Sequence, residues 1–361
     1  MLSGAKPPFR FRGVIMNCNR ESKEMKAIVC EQPGKFRLKE MDPPTIKSGE
    51  ALVRIRRVGI CGSDLGAFKG HHPLVTYPRI LGHELSGEVV ALGDSSSNLK
   101  IGDSVVIIPY LECGNCFACR QGKTNCCTRL EVYGVHRDGG MQEYMSVPAD
   151  HLIKSAKLNF DQMAMVECMG IGAHAVRRSR IKKGEFALVI GAGPIGIGVM
   201  QFAKVAGAKV IAVDIVSDRL KFCQDHKWVD YAIPAQGEWV KEIESIAKGD
   251  YPTAVFDASG NVHSMESAFN LVAHGGVLVM VGLVKGNISF ADANFHRREL
   301  TVMSSRNATR QDLEAVSRSM EEGKVGALPL ITHRAPLDQL IGQFDSWLKP
   351  ESGVIKAIVE L

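Results

Sequence analysis

Ala187-Leu188-Val189-Ile190-Gly191-Ala192-Gly193-Pro194-Ile195-Gly196 is the stretch on which the fold turns. Four apolar residues read as a buried strand, and the glycine spacing G-x-G-x-x-G opens a helical run over 195–206. Gly191 permits a tight turn, Gly193 lets the backbone approach a pyrophosphate, and Gly196 lets the helix pack against the strand. The helix then begins, through Pro194 and Ile195, with its N–H groups and positive dipole end toward the phosphates. Such a glycine pattern alone is a common loop. A strand before it, a helix after it and an acid at the end of the next strand turn it into a dinucleotide site. That acid is Asp214, eighteen residues past Gly196, at the end of the apolar run 209–213. A carboxylate there accepts from both adenosine ribose hydroxyls and repels a 2′-phosphate, so NAD is expected rather than NADP. Arg219 is the opposing signal in the cofactor site, since a nearby guanidinium can meet a 2′-phosphate.

Outward from this motif, apolar strands alternate with helical stretches from about Ala164. Runs at 186–190, 209–213, 251–256 and 276–281 read as strands, with helices at 195–206 and from Ser217. Strand–helix alternation predicts an α/β, doubly wound parallel sheet over 164–311. The region 25–163 is different. Short apolar runs (26–30, 50–58, 86–91, 104–108) are separated by Gly, Pro and Asp, as in a small, mostly antiparallel β domain. A helix over 313–322 and a last strand over 354–359 return the chain to that domain, which is expected to comprise 25–163 and 312–361. Residues 1–24 are basic and lack the apolar core of a secretory signal. They read as a disordered extension, as residues ahead of a start at Met25, or as a targeting peptide.

The 361 residues are 45% hydrophobic and 23% charged, the proportions of a soluble protein with a sizeable core. Net charge is +5, and without residues 1–24 (five basic, two acidic) it falls to +2. So small and dispersed a charge excludes an electrostatic case for nucleic acid or an anionic membrane. The longest apolar runs, such as 277–284, are far too short to span a bilayer. A cytoplasmic enzyme acting on a small molecule is the expectation.

Ten cysteines is a high count, and Cys113-x2-Cys116-x2-Cys119-x7-Cys127 falls in a lobe (110–130) rich in Gly, Asn and Arg. Four thiolates at this spacing close a tetrahedral structural zinc site, which replaces a core that so short a loop could not build. Cys126 competes with Cys127 for the fourth place. An iron–sulfur cluster uses the same ligands, but the dinucleotide motif disfavours it. No basic recognition helix follows, as a nucleic-acid finger would need. Three further fragments offer a second, catalytic metal centre: Cys61-Gly62-Ser63-Asp64, Gly82-His83-Glu84 and Glu167. A thiolate, an imidazole and a carboxylate or water make an open zinc site, and zinc there acidifies a substrate hydroxyl so that hydride can leave for a nicotinamide. Singly, each residue reads as core packing or a salt-bridge partner; the set carries the case.

These anchors together, Gly59-Ile60-Cys61-Gly62-Ser63-Asp64, Leu81-Gly82-His83-Glu84, the four-cysteine lobe and the Gly191–Gly196 loop, resemble the medium-chain, zinc-containing alcohol and polyol dehydrogenases from Met25 to Leu361. The resemblance implies a GroES-like catalytic domain, a Rossmann domain, and a homodimer or homotetramer. It implies catalytic zinc on Cys61 and His83, Glu84 as a near or alternating ligand, and Glu167 completing the site directly or through water. It implies Ser63 as the hydroxyl that hands on the substrate proton, and it selects Cys127 over Cys126.

Within that family, Tyr77–Glu84, Gly134–Gly140 and Ser304–Thr309 resemble the bacterial hexonate 5-dehydrogenases, which oxidise L-galactonate or L-gulonate. A sugar-acid carboxylate calls for cationic donors; Arg306 and His136 are the candidates singled out, beside Arg137, His72 and Lys69. Two positions depart from the polyol branch. Gly66 replaces a relay histidine, so a proton on Ser63 passes through the cofactor ribose to water, or to His71 or His72. Cys168 replaces the proline after Glu167 and is a rival thiolate. Other substrates (a neutral polyol, threonine, formaldehyde with a thiol) keep the chemistry, and a nucleotide-binding protein without catalysis is the reading from another class.

Overall fold

The computed structural model describes residues 24–93 and 98–361, together with the short antiparallel ladder Arg10–Phe11 and Val14–Ile15. Apart from that ladder and Glu24, the expected disordered extension over 1–24 lies outside the described residues. Contacts divide the chain into two units. One is Met1–Asn115, Thr128–Met165 and Ile331–Leu361; the other is Cys116–Cys127 and Val166–Leu330.

The first unit is built on long antiparallel pairing. Among the described residues, a seven-stranded sheet runs Leu152–Lys154, Ser104–Ile107, Glu84–Leu92, Glu50–Ile60, Lys356–Glu360, Ile331–Pro336, with Tyr144–Pro148 also on Glu50–Ile60. A three-stranded sheet, Lys35–Met41, Met25–Gln32, Arg79–Ile80, completes it. Glu50–Ile60 is the spine. Its apolar residues, Leu52, Val53, Ile55 and Val58, are almost wholly buried. The last strand begins at Lys356 rather than at the expected 354, and is antiparallel to the spine in the register Ala357↔Ile60 and Glu360↔Arg57.

The second unit holds six parallel strands in the order Tyr231–Pro234, Lys209–Asp214, Phe186–Ile190, Ala254–Asp257, Val277–Met280, Thr301–Ser304. Numbered along the chain this is 3-2-1-4-5-6, the doubly wound order with a switch point beside the first strand. The central strands are buried on both faces, hence the unbroken apolar runs. Leu188, Ile211, Val213, Val255 and Leu278 are at most 1% exposed, and burying each such side chain stabilises by about 1.5–3 kcal/mol. The two edge strands carry no comparable apolar signal: Tyr231–Pro234 ends in proline, and Thr301 and Val302 are exposed. No helix among the described residues is long and apolar enough to cross a membrane.

Two segments fall differently from the sequence expectation: Cys116–Cys127 of the cysteine lobe groups with the second unit rather than with the first, and the C-terminal boundary moves. The chain returns to the first unit at Ile331, not at 312. The reason is the helix Arg310–Glu321, whose Leu313, Val316 and Met320 are buried. Leu313 seats where a side chain on Gly170 would stand, against the helix Val166–Ser179, and this holds the helix in the second unit.

Candidate zinc and dinucleotide sites

The register of the spine builds the candidate catalytic centre. Gly59 pairs with Glu84. Continuing that antiparallel pairing brings the residues just past the spine, Cys61 onward, opposite those just before Glu84, namely His83 and Gly82. The ligand atoms of Cys61, His83 and Glu84 accordingly lie within 4.8 Å of one another, close enough to share one ion with bonds of about 2.0–2.3 Å. A thiolate, an imidazole and a carboxylate are a donor set that suits zinc.

Asp64 organises this centre. It is 2% exposed; its Oδ2 accepts from the Cys61 N–H at 2.9 Å and its Oδ1 from the Gly82 N–H at 3.1 Å, with Oδ1 3.7 Å from His83 Nδ1. Burial pushes the Asp64 carboxyl up; His83 and the two backbone N–H groups act against that. A ligand's outer partners fix its orientation, and Asp64 does so for both fragments at once. Ser63 Oγ stands 3.5 Å from His83 Nε2. Glu84 is 0% exposed, and the ammonium of Lys356, 3% exposed, donates to its Oε1 at 2.6 Å, its Oε2 at 2.8 Å and the Ile60 carbonyl at 3.2 Å. Neither Asp64 nor Lys356 was among the candidate site residues. The spacing Cys61-x2-Asp64, that of a helix cap reaching back to its start, is a usable signal for the first; nothing near Glu84 in sequence points to the second.

In the cysteine lobe, the sulfurs of Cys113, Cys116, Cys119 and Cys127 lie within 4.8 Å of one another. Cys126 is exposed and outside this group. Four converging sulfurs fit a closed zinc site. Asn125, buried beside them in sequence, donates from Nδ2 to the Arg306 carbonyl at 2.8 Å and to His174 Nε2 at 3.2 Å. That fixes the His174 tautomer, so Nδ1–H donates to Asp312 Oδ2 at 2.8 Å. Arg177 also donates to Asp312, from Nε at 2.6 Å and Nη2 at 3.0 Å, as does Thr309 Oγ1 at 2.6 Å. Burial pushes the Asp312 carboxyl up, but the bonds from His174, Arg177 and Thr309 outweigh it and hold it well below the usual carboxylate range.

The dinucleotide loop follows the strand Phe186–Ile190. Gly191 takes φ +102°, where an L side chain is strained, and a Cβ on Gly196 would sit 1.8 Å from the Gly191 carbonyl oxygen. A Cβ on Gly193, in contrast, would meet no protein atom within 4 Å. Gly193 caps the helix Pro194–Val205, with Pro194 in its first turn, and its open cradle fits a group that approaches the backbone from outside. Asp214 is buried and oriented; its Oδ2 accepts from Ala192 N–H at 2.6 Å and its Oδ1 from Val216 N–H at 2.7 Å. Each oxygen keeps a lone pair for a ribose hydroxyl. Arg219 is half-buried in the helix Ser217–Asp225.

Of the remaining candidates, Glu167 is buried in the second unit at the start of the helix Val166–Ser179, with Cys168 fully buried beside it. Arg306 has an exposed side chain, and its carbonyl rather than its guanidinium makes the contact with Asn125. His136 accepts from the Val132 N–H at Nδ1, 3.1 Å, closing its own turn. Arg137 pairs with Glu131 at the surface.

A GroES-like sheet with a thiolate–imidazole–carboxylate centre and a doubly wound sheet with a dinucleotide loop are the two parts of a zinc dehydrogenase. The alcohol dehydrogenase GroES-like domain model matches residues 47–157 and the zinc-binding dehydrogenase model matches 194–322. L-galactonate-5-dehydrogenase of Escherichia coli (strain K12) is 40% identical over 93% of this chain and 98% of that one. Sorbitol dehydrogenase of Halalkalibacterium halodurans is 31% identical, over 87% and 94% respectively. Among solved structures, the alcohol dehydrogenase RspB from E. coli CFT073, complexed with NADH, superposes with a TM-score of 0.88 at 29% identity, over 94% of this chain and 100% of that one. The chain belongs to the zinc-containing medium-chain alcohol dehydrogenase family, and is an oxidoreductase of that family.

Proposed function

We propose that the protein oxidises the C5 hydroxyl of a hexonate, L-galactonate or L-gulonate, and passes the hydride to NAD. The observation that carries the substrate class is the 40% identity to L-galactonate-5-dehydrogenase over 98% of that enzyme. Cys61, His83 and Glu167 hold the catalytic zinc, with Glu84 kept by Lys356 as the alternating ligand, and Cys113, Cys116, Cys119 and Cys127 hold the structural zinc. When bound, zinc supplies Lewis acidity to the substrate hydroxyl and the nicotinamide supplies the hydride acceptor. The protein's own residues position and deprotonate. Asp64 fixes both ligand fragments, and Ser63, beside the His83 ring, takes the substrate proton. With Gly66 in place of a relay histidine, that proton leaves through the cofactor ribose to water, or to His71 or His72. Gly191, Gly193, Pro194, Ile195 and Gly196 receive the pyrophosphate, and Asp214 the ribose, with Arg219 nearby. Arg306 and His136 are the proposed partners of the substrate carboxylate. The exposed Arg306 guanidinium, which has no ion pair among the described residues, supports the first.

The test is the appearance of reduced nicotinamide with zinc-loaded protein on L-galactonate, L-gulonate, L-idonate, sorbitol, threonine and simple alcohols. One hexonate turned over with NAD is the expected result; turnover of neutral polyols alone would sink the sugar-acid reading and keep the chemistry. Asp214→Asn is expected to lower the NAD-over-NADP ratio of kcat/KM by roughly 10–100-fold, because a charged acceptor of about 1.5–3 kcal/mol is lost. An unchanged ratio would remove Asp214 from the ribose site. A homodimer or homotetramer belongs to this reading; the open sheet edge supports it, where Val302 is 40% exposed, as does Leu283, past the end of the adjacent strand Val277–Met280, at 91%. A reducing compartment such as the cytoplasm belongs to it too, since the lobe thiolates ligate only when reduced.

A further inference from the structure

A cavity of about 660 Å³ lies in the second unit at the end of the parallel sheet where strands begin, bordered by Ala254, Val277 and Thr301. The dinucleotide loop leaves the same sheet where the strand Phe186–Ile190 ends, so the cavity is at the opposite edge from the cofactor loop. Its walls carry Lys123, Arg177, Arg178, Arg180 and His274 against one acid, Glu185. Arg177 is taken up by Asp312, and Glu185 accepts from the Lys182 N–H at 2.8 Å. Lys123, Arg178 and Arg180 form no ion pair or side-chain hydrogen bond among the described residues. Arg178 Nε is buried without an acceptor there, whereas buried donors in folded proteins nearly always have one.

A helix C-terminus attracts basic residues by its dipole, and that explains a cation or two at the end of Val166–Ser179. It does not explain Lys123, which comes from the cysteine lobe, or His274, which comes from the loop before the strand Val277–Met280. Nor does it explain Arg180, which takes φ +57° just past the helix, where glycine or asparagine is the easy choice. A long cation is kept there at a conformational cost.

We propose that this cavity is a binding site for a multiply charged oxyanion, a phosphate or small phosphorylated metabolite, separate from the dinucleotide site. Guanidinium forks match phosphate oxygens in pairs, and the cavity volume is that of a small-molecule site. Occupancy stabilises the folded second unit by mass action.

The experiment titrates zinc-loaded full-length protein, saturated with NADH so that the pyrophosphate subsite is covered. The probes are inorganic phosphate and glucose 6-phosphate at constant ionic strength made up with chloride. Calorimetry and the thermal midpoint are the readouts, for wild type, for Arg178→Gln/Arg180→Gln and for Lys123→Gln. Saturable binding that weakens about tenfold or more in the double variant and less in Lys123→Gln, with NADH affinity unchanged, is the expected result. Tighter binding of glucose 6-phosphate than of phosphate identifies the organic source of the same chemistry. A linear, unsaturable response equal in all three proteins is screening alone and overturns the proposal. So does no binding by wild type together with a smaller oligomer in the double variant, which would make the cavity a contact for a second copy. Should the double variant fail to fold, Lys123→Gln, on the lobe surface, decides.

Discussion

Replacing Lys356 by Met is expected to lower stability by about 3–5 kcal/mol, the usual cost of removing one partner of a buried ion pair. The ammonium is 3% exposed and bonds both oxygens of Glu84, which is 0% exposed. Without it a buried carboxylate loses the ammonium that neutralises it within the sheet. The denaturation midpoint reads the loss. Lys356→Met combined with Glu84→Gln is expected to recover most of it, because neither half of the pair is then left charged without the other. Equal midpoints for wild type and Lys356→Met would mean that the pair does not carry the sheet.

The second large effect is on activity. Cys61→Ala removes the thiolate from the candidate catalytic centre and leaves the cysteine lobe and the dinucleotide loop untouched. The expected outcome is a fall in kcat/KM of roughly 10³-fold or more, as Lewis-acid stabilisation of several kcal/mol is lost. Zinc content should drop from two equivalents to one, and NADH should bind as in wild type. Retention of both zinc equivalents with activity intact would take Cys61 out of the centre. Cys116→Ala makes the contrast, since it strikes the other metal and is expected to cost folding.

Most of what was legible in sequence is local. The strand–glycine–helix reading of 186–206 needed only neighbouring residues, and the structure has the strand Phe186–Ile190, the positive φ of Gly191 and the helix Pro194–Val205 there. The four-cysteine lobe is likewise a matter of spacing. What escaped was carried by register and distance. Lys356 lies 272 residues from Glu84, and only the pairing of the last strand with the spine brings them together. Asp312 reads as a helix-capping acid at its own position; its bond to His174, 138 residues away, is a product of helix packing. The edge strands of the parallel sheet were missed because edges carry exposed, mixed residues. Charge alone marks Arg306 and His136 in the sequence; within the described residues the first contributes a carbonyl and the second a turn contact.

The pairing of Gly59 with Glu84 has a consequence for which lengths of chain this protein tolerates. The ladder between the spine and Glu84–Leu92 absorbs irregularities between Leu52 and Val53 and between Ile55 and Arg57, and then runs in step to Gly59. A residue inserted between Arg57 and Cys61 would rotate the thiolate to the other face of the sheet, because side chains alternate along a strand. The connection 69–78, between the helix Gly62–Phe68 and the strand Arg79–Ile80, spans the same two ligand fragments without setting their alignment. Insertions and deletions among relatives should therefore gather in that connection and be absent from the last four residues of the spine.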